Sequence, residues 1–388
     1  MSKKLSMAVA GALVAMVAST ANAGIIIPAG DWTVDISGNV NAFYTHTSTS
    51  GDTGMTGYED GGDEVNDIST GLLPSAFGIG AKTRQNDLDV AFQFTFFTGA
   101  NAGTQSAAGN NTLNIRQAYL TFGDKSWGTI KMGRDLGIFG SDAILSDMTL
   151  LGVGIGAATN LESSTLGRIG SGYMYADWVG QISYASPNWN GFSFAVGVRE
   201  PWTNVTDNST EARNNMGYEG KVSYEWAGDF AGKAWLGYIN QKHETSFSSG
   251  SYTSDGWDVG GKVSFSGLEL VGYYYDGEGL DSISDVGLSG LMFLNGAEND
   301  DNGGYVQATY KIPGIGTKLG VSWGTSNSES DQNGLFDIEN ESWMVGVYHP
   351  LTKSLNLVAE YVHQKVEDDE SNFDQKNKTI SLGAIMFF

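Results

Sequence analysis

Four histidines, at 46, 243, 349 and 363, and the absence of cysteine leave little nucleophile or metal chemistry open to this chain. No His-Glu-x-x-His pair occurs, so no zinc hydrolase signature is present, and Gly320-Val321-Ser322-Trp323-Gly324 fits the Gly-x-Ser-x-Gly spacing only in form, inside an alternating strand and not at a strand–helix elbow. "GVGIGA" (152–157) fits a dinucleotide fingerprint only in form, since no strand–helix–strand unit surrounds it. "GIGAKT" (78–83) lacks the glycine that a phosphate loop places before its lysine. The acidic runs 58–67, 297–302 and 366–371 offer carboxylate oxygens to hard cations, but none has the spacing of a calcium loop. Neither an enzyme nor a cofactor or metal protein is expected. What remains is charge. Lys82 and Arg84 share a strand parity opposite Phe77, Ile79 and Ala81, and so line the side away from an apolar face.

The elements that would position such charges are strands. Glycine is abundant at 54, proline scarce at 6, and short runs of alternating hydrophobicity are broken by Gly, Asn, Asp and Ser clusters. "LDVAFQFTFF" sets Leu88, Val90, Phe92, Phe94 and Phe96 against Asp89, Ala91, Gln93 and Thr95. From Asp31 onward the rhythm predicts sixteen strands, near 31–46, 76–85, 88–98, 113–122, 128–134, 176–185, 191–199, 217–226, 231–243, 255–266, 268–276, 304–311, 316–326, 341–349, 354–366 and 377–388. Short connections ("QND", "DKSWG", "PNWNG", "HPLTK") alternate with long ones, among them 135–175. An even number of strands with short turns at one end and long loops at the other describes an all-β transmembrane antiparallel barrel. In lipid every backbone N–H and C=O must be paired within the protein, so a spanning sheet closes on itself. One apolar face per strand then suffices, which reconciles membrane residence with a mean hydropathy of -0.19.

The two ends fit this picture. "MSKKLSMAVAGALVAMVASTANA" joins Lys3 and Lys4 to a short apolar run and Ala21-Asn22-Ala23, the anatomy of a secretory signal peptide. Residues 1–23 are expected to be cleaved, leaving 24–388 as the barrel domain. With 44 acidic residues against 21 basic, two of the latter in the leader, the mature chain would carry 19 basic residues and a net charge of -25. Such a charge disfavours nucleic acid, whose phosphates would repel it. No later segment offers 18 consecutive apolar residues for a spanning helix. At the other end, Ile380, Leu382, Ala384, Met386 and Phe388 share one parity and Thr379, Ser381 and Gly383 the other. The first set is expected to face lipid. Trp32, Tyr44, Trp127, Trp178, Trp189 and Trp226, near strand ends, are expected to form interfacial girdles.

"RQAYLTFGDKSWGTIKMGRD" (116–135) resembles a strand–turn–strand segment of the Gram-negative general diffusion porins, and "SYASPNWNGFSFAVGV" (183–198) resembles another of their hairpins. The closing strand ending in phenylalanine, with Met386 and Phe388 as its assembly signal, is similar to the one the barrel assembly machinery recognises in such proteins. The resemblance implies a sixteen-stranded homotrimer in the outer membrane, surrounded by lipid and lipopolysaccharide and reached through the periplasm. It also implies that the segment 135–175 folds into the lumen and narrows it, as its length suggests. Where the family carries D-M-L-P-E-F-G-G, this chain reads Asp147-Met148-Thr149-Leu150-Leu151-Gly152-Val153-Gly154. The aspartate is kept, the glutamate and proline are not, and Asp135, Asp142 and Glu162 stand elsewhere in the loop to complete the acidic side. The facing basic wall would comprise Lys82, Arg84, Arg116, Lys131 and Arg134, with Arg168 and Arg199 as lesser candidates.

The function implied is passive diffusion of small hydrophilic solutes and ions, with a cation preference resting on the constriction acids, because loop charges beyond a screening length of about 10 Å count for little. On this expectation Asp147→Asn reduces cation preference. Two other readings stay open: a channel specific for a sugar or an anion, and a plugged structural or adhesin barrel.

Overall fold

The computed structural model describes residues 24–52, 64–100, 113–156, 164–201, 215–244, 251–280, 299–330 and 336–388. The leader 1–23 and Glu162 lie outside the described residues. The strands are β1 (Ile25–Ala29), β2 (Trp32–Gly51), β3 (Glu64–Ser69), β4 (Ser75–Gln85), β5 (Leu88–Thr98), β6 (Asn114–Asp124), β7 (Gly128–Leu136), β8 (Trp178–Ala185) and β9 (Phe192–Arg199). There follow β10 (Gly217–Trp226), β11 (Ala231–Glu244), β12 (Ser251–Phe265), β13 (Leu268–Glu278), β14 (Asp300–Lys311), β15 (Lys318–Glu329), β16 (Asp337–Pro350), β17 (Leu355–Asp368) and β18 (Phe373–Phe387).

Except for β3 and β4, which both pair with β2, each strand pairs antiparallel with its sequence neighbour, and β18 pairs with β2 over Asn39–Gly51, closing the sheet. The 18 strands fill sixteen positions. β3 and β4 share one, lying end to end along β2, because the chain leaves the wall at 70–74. β1 and β18 share another. β18 stops where the Gly38 N–H donates to the Phe388 carbonyl (2.9 Å) and the Phe388 N–H donates to the Gly38 carbonyl (3.1 Å), and β1 takes over from Ile25 opposite Ile36. The terminal phenylalanines therefore complete the ladder at the seam. Closure leaves no spanning edge unpaired, as a lipid solvent demands.

The expected alternation is present. Ile380 (45% exposed), Leu382 (52%) and Met386 (43%) point outward, while Thr379 (3%) and Ser381 (0%) point inward. The short connections lie together at one end. Asn86 (φ 48°) and Asp87 (φ 63°) make the two-residue β4–β5 turn, a left-handed pair that suits the twist of a hairpin. Aromatics gather at that end. Phe230 stacks on Phe265 at 4.4 Å, Trp189 stacks on Phe192, and Trp127 is exposed. Trp178 departs from the girdle expected of it. It is buried against Phe97, with ring centroids 5.7 Å apart, at the long-loop end.

The strands reach farther toward the long-loop end than the hydrophobic pattern suggested: β2 runs to Gly51, β16 begins at Asp337 and β18 at Phe373. Above the lipid band both faces meet water, so alternation fades while backbone pairing continues.

Candidate pore constriction

The chain leaves β7 at Leu136 and turns into the barrel, and the Gly137 N–H donates to the Asp177 carbonyl (2.9 Å) to close the neck of the loop. Inside, the loop forms the short helix α1 (Ser141–Ser146) and a 3₁₀ turn (Met148–Leu151). A backbone this far from water needs acceptors for its free N–H groups. The inward faces of the wall supply them. Glu219 Oε2 on β10 accepts from Ile138 N (2.5 Å) and Phe139 N (3.4 Å). Asp258 Oδ2 on β12 accepts from Gly140 N (3.1 Å), and Gln307 Oε1 on β14 accepts from Met148 N (2.8 Å). Glu360 Oε2 on β17 accepts from both Val153 N and Gly154 N at 2.8 Å. The returning limb is fixed by Arg168 Nη1 donating to Ser342 Oγ (3.0 Å) and by Asn340 Nδ2 donating to the Gly170 carbonyl (2.7 Å). Leu72 N, in the gap between β3 and β4, donates to the Gly152 carbonyl (2.9 Å). A Cβ at Gly152 would lie 2.1 Å from Glu360 Oε1, so a side chain there would displace the carboxylate that grips the loop.

Apolar side chains complete the dock. Phe139, Met148, Val153 and Tyr173 of the loop are buried with Tyr305, Met344, Tyr348 and Val362 of the wall. Tyr173 and Tyr305 meet edge-on at 5.8 Å.

The acidic candidates are separated by this arrangement. Asp142, on α1, lies between two wall lysines, with Lys221 Nζ at 2.7 Å and Lys233 Nζ at 2.5 Å. Burial would push its carboxyl up, but the two ammonium groups outweigh that and hold it down to about 2. Asp135 is buried, paired with Lys131 and accepting from Gln117 Nε2 (2.9 Å). Asp147, the residue kept from the family's motif, differs from its expected place. It is buried, with Oδ1 accepting from Thr149 N (2.9 Å) and Oδ2 from the Tyr173 hydroxyl (2.8 Å). Asp147 caps the 3₁₀ turn, and both oxygens are engaged away from the cavity described below.

The basic candidates do not share one height. Lys82 and Arg84 face inward, but Arg84 sits beside the β4–β5 turn, paired with Asp89 (2.9 Å) and Asp124 (2.8 Å). Arg116 lies at the opposite end of the wall, where the β5–β6 register shifts, with its guanidinium 5.2 Å from the Phe97 ring. Arg134 corrects the expectation outright. Its neighbours Lys131 and Asp135 meet on the inner face, while Arg134 is exposed on the outer face with Met132. A single slot in the alternation decides this, since β7 side chains change sides at each residue. Arg168 and Arg199 are both buried, the first under the loop and the second paired with Glu219 (2.8 Å).

Between loop and wall lies a cavity of about 200 Å³, lined among others by Lys131, Asp135, Asp142, Lys221, Glu225 and Lys233. Lys221 and Lys233 escaped the sequence reading, as did the wall carboxylates Glu219, Asp258 and Glu360. Their parity was readable: Lys221 alternates against Tyr218, Val222 and Tyr224. Their role depends on the loop, whose path no local pattern encodes. At the seam, Met386 is exposed toward lipid and Phe388 closes onto Gly38. Among the described residues no cluster of His, Asp or Glu could hold a metal ion.

Solved structures share this architecture. The outer membrane channel DcaP of Acinetobacter baumannii superposes with a TM-score of 0.68 at 17% identity, covering 94% of this chain and all (100%) of that one. The anion-selective porin from Comamonas acidovorans gives 0.65 at 15% identity over 92% and 100% of the two chains. A trimer form of OmpT, an outer membrane protein of Vibrio cholerae, gives 0.56 at 16% identity over 92% and 99%. At these identities the likeness is one of fold. No curated protein sequence matches. The family model for Gram-negative porins matches residues 8–369. A closed outer-membrane barrel with a loop folded into its lumen and a match spanning nearly its whole length, this chain belongs to the Gram-negative porin family, whose fold makes diffusion channels.

Proposed function

We propose that the protein lets small hydrophilic solutes and ions cross the outer membrane by passive diffusion, with residues 135–175 as the constriction. The observation that carries this is the loop fixed across the lumen beside a cavity lined by three lysines and three carboxylates, Lys131, Lys221 and Lys233 with Asp135, Asp142 and Glu225. Balanced charges of both signs favour solutes that can replace water's hydrogen bonds over apolar ones. Ion preference is weak and cationic, and it arises from the mature chain's net charge of -25 rather than from Asp147. It therefore fades at high salt, where the screening length falls to about 3 Å at 1 M. The protein works as a homotrimer after export through the periplasm and removal of residues 1–23, and Met386 and Phe388 guide its assembly.

A barrel stoppered by its own loop is the second reading, favoured by the buried contact of Tyr173, Met148 and Arg168 with the wall. Single-channel conductance in a planar bilayer decides. Steady ion steps support the pore, and a folded barrel that passes no current supports the stopper.

A further inference from the structure

The cavity between loop and wall is covered by α1, through Ser141, Asp142 and Leu145, and walled by the inner faces of β6–β11. Thr129, Ser186 and Glu225 of its lining lie beside the short turns, so it opens toward that end of the barrel. At about 200 Å³ it has room for a small solute. Hydroxyl groups fill much of its wall, and the Ser193 and Ser223 oxygens meet there at 3.0 Å.

Its charges balance in sum but not in place. Lys131 and Asp135 close on each other, and so do Arg199 and Glu219 on the adjoining strands. On β12, Lys262, directly across from Lys233, and Asp258 add one charge of each sign. What is left is Asp142 between Lys221 Nζ (2.7 Å) and Lys233 Nζ (2.5 Å), one negative charge against two positive, and Glu225 at the mouth. Each ammonium carries three N–H donors. Lys221 turns one toward Asp142 and gives another to Ser141 Oγ (3.0 Å), and Lys233 gives one to Asp142, so both keep a donor to spare. Glu225, its side chain 55% exposed, stands directly across from Lys233 and meets it only at 3.6 Å. The covered end of the cavity thus lacks one negative charge, the mouth lacks one positive charge, and the two deficits adjoin.

A plain anion in this cavity would meet Glu225, and a plain cation would meet Lys221 and Lys233. A compact zwitterion supplies both missing charges from one skeleton. We propose that the cavity is a subsite for small zwitterions of the α-amino acid type, whose carboxylate is received by Lys221 and Lys233 and whose ammonium is received by Glu225. Ile138 and Leu145, also in the lining, offer the side chain an apolar contact. The site rests on the diffusion reading above only for delivery of its solute.

The test titrates the full-length barrel, purified in detergent, by calorimetry with three probes. They are L-alanine, propionate, which lacks the ammonium, and ethylamine, which lacks the carboxylate. The unaltered protein should bind alanine about tenfold more tightly than either of the others, the loss that one charge-assisted hydrogen bond carries. In E225Q alanine should fall to the level of propionate. K221Q should weaken alanine and propionate alike and leave ethylamine unchanged, a split that a merely structural role would not produce. K353Q, in the β16–β17 turn, should bind as the unaltered protein does. Equal binding of alanine and propionate by the unaltered barrel would overturn the proposal, as would an alanine margin that survives in E225Q or a barrel that binds none of the three. Planar-bilayer current on the same samples separates the two readings. Current without alanine binding sinks the site alone, whereas selective alanine binding without current supports the site and sinks the diffusion reading.

Discussion

Asp142 is the loop carboxylate that two wall lysines meet. One carboxylate faces two ammonium groups, so Asp142→Asn would leave Lys221 without its paired carboxylate and Lys233 with only the longer contact to Glu225 (3.6 Å). One unit charge at roughly 7 Å in water is worth about 0.6 kcal/mol to each ion, with opposite sign for the two, so the chloride-to-potassium permeability ratio should rise by about sevenfold. Reversal potentials under a KCl gradient would read it, and an unaltered ratio would put these lysines off the ion path. Asp147→Asn should behave in the opposite way. It weakens the bonds from Tyr173 and Thr149, costing about 1.5–3 kcal/mol in thermal stability, and leaves ion preference unchanged. The acidity of Asp142 gives a further expectation. Its folded value, about 2, lies below its ordinary 3.8, so its contribution to loop docking is full above that ordinary value and lost only as pH falls through about 2. Selectivity carried by Asp142 should hold from neutrality down to about pH 4, and loss of it near pH 5 would contradict the ion triad. Residue identity was legible in the sequence; function was not. The motif that marks Asp147 preserves a cap, and Asp142 was one of several loop acids until two lysines from distant strands met it.

At the scale of elements, the barrel strands were readable because their face period is two and one face meets lipid. β5, Leu88–Thr98, has the bounds the alternation gave. β1 and β3 were not read: the first is five residues of nearly continuous apolar character, and the second carries Glu64, Asn66 and Asp67 above the lipid band. The loop was recognisable by length and by likeness, but its path is set by six inward side chains on five strands, each invisible as a partner until the barrel closes. Gly152→Ala tests that docking. A methyl group 2.1 Å from Glu360 Oε1 must push the segment 152–154 off its carboxylate, at a cost of about 1–3 kcal/mol. The variant should melt earlier and conduct more, with noisier open current. Unchanged conductance and melting would mean that Glu360 does not hold the loop.

For the whole molecule, family and barrel together define an outer-membrane channel in which an acidic chain hides a balanced interior. Outside, the apolar band and its aromatic rims position it in lipid. Inside, a loop gripped by wall carboxylates lies beside a small polar cavity against β6–β11. Mass spectrometry of the protein from outer membranes should find Gly24 as the first residue, and an N-terminus retaining Lys3 and Lys4 would refute leader cleavage. The most direct test of the central claim is single-channel recording of the detergent-purified protein in a planar bilayer, with the reversal potential taken at 0.1 M and again at 1 M KCl. Steady steps grouped in threes, with a slight cation preference at the lower salt that vanishes at the higher, are the expected result. A correctly folded barrel that carries no current, or one whose cation preference persists undiminished at 1 M, would contradict a diffusion pore with a charge-balanced constriction.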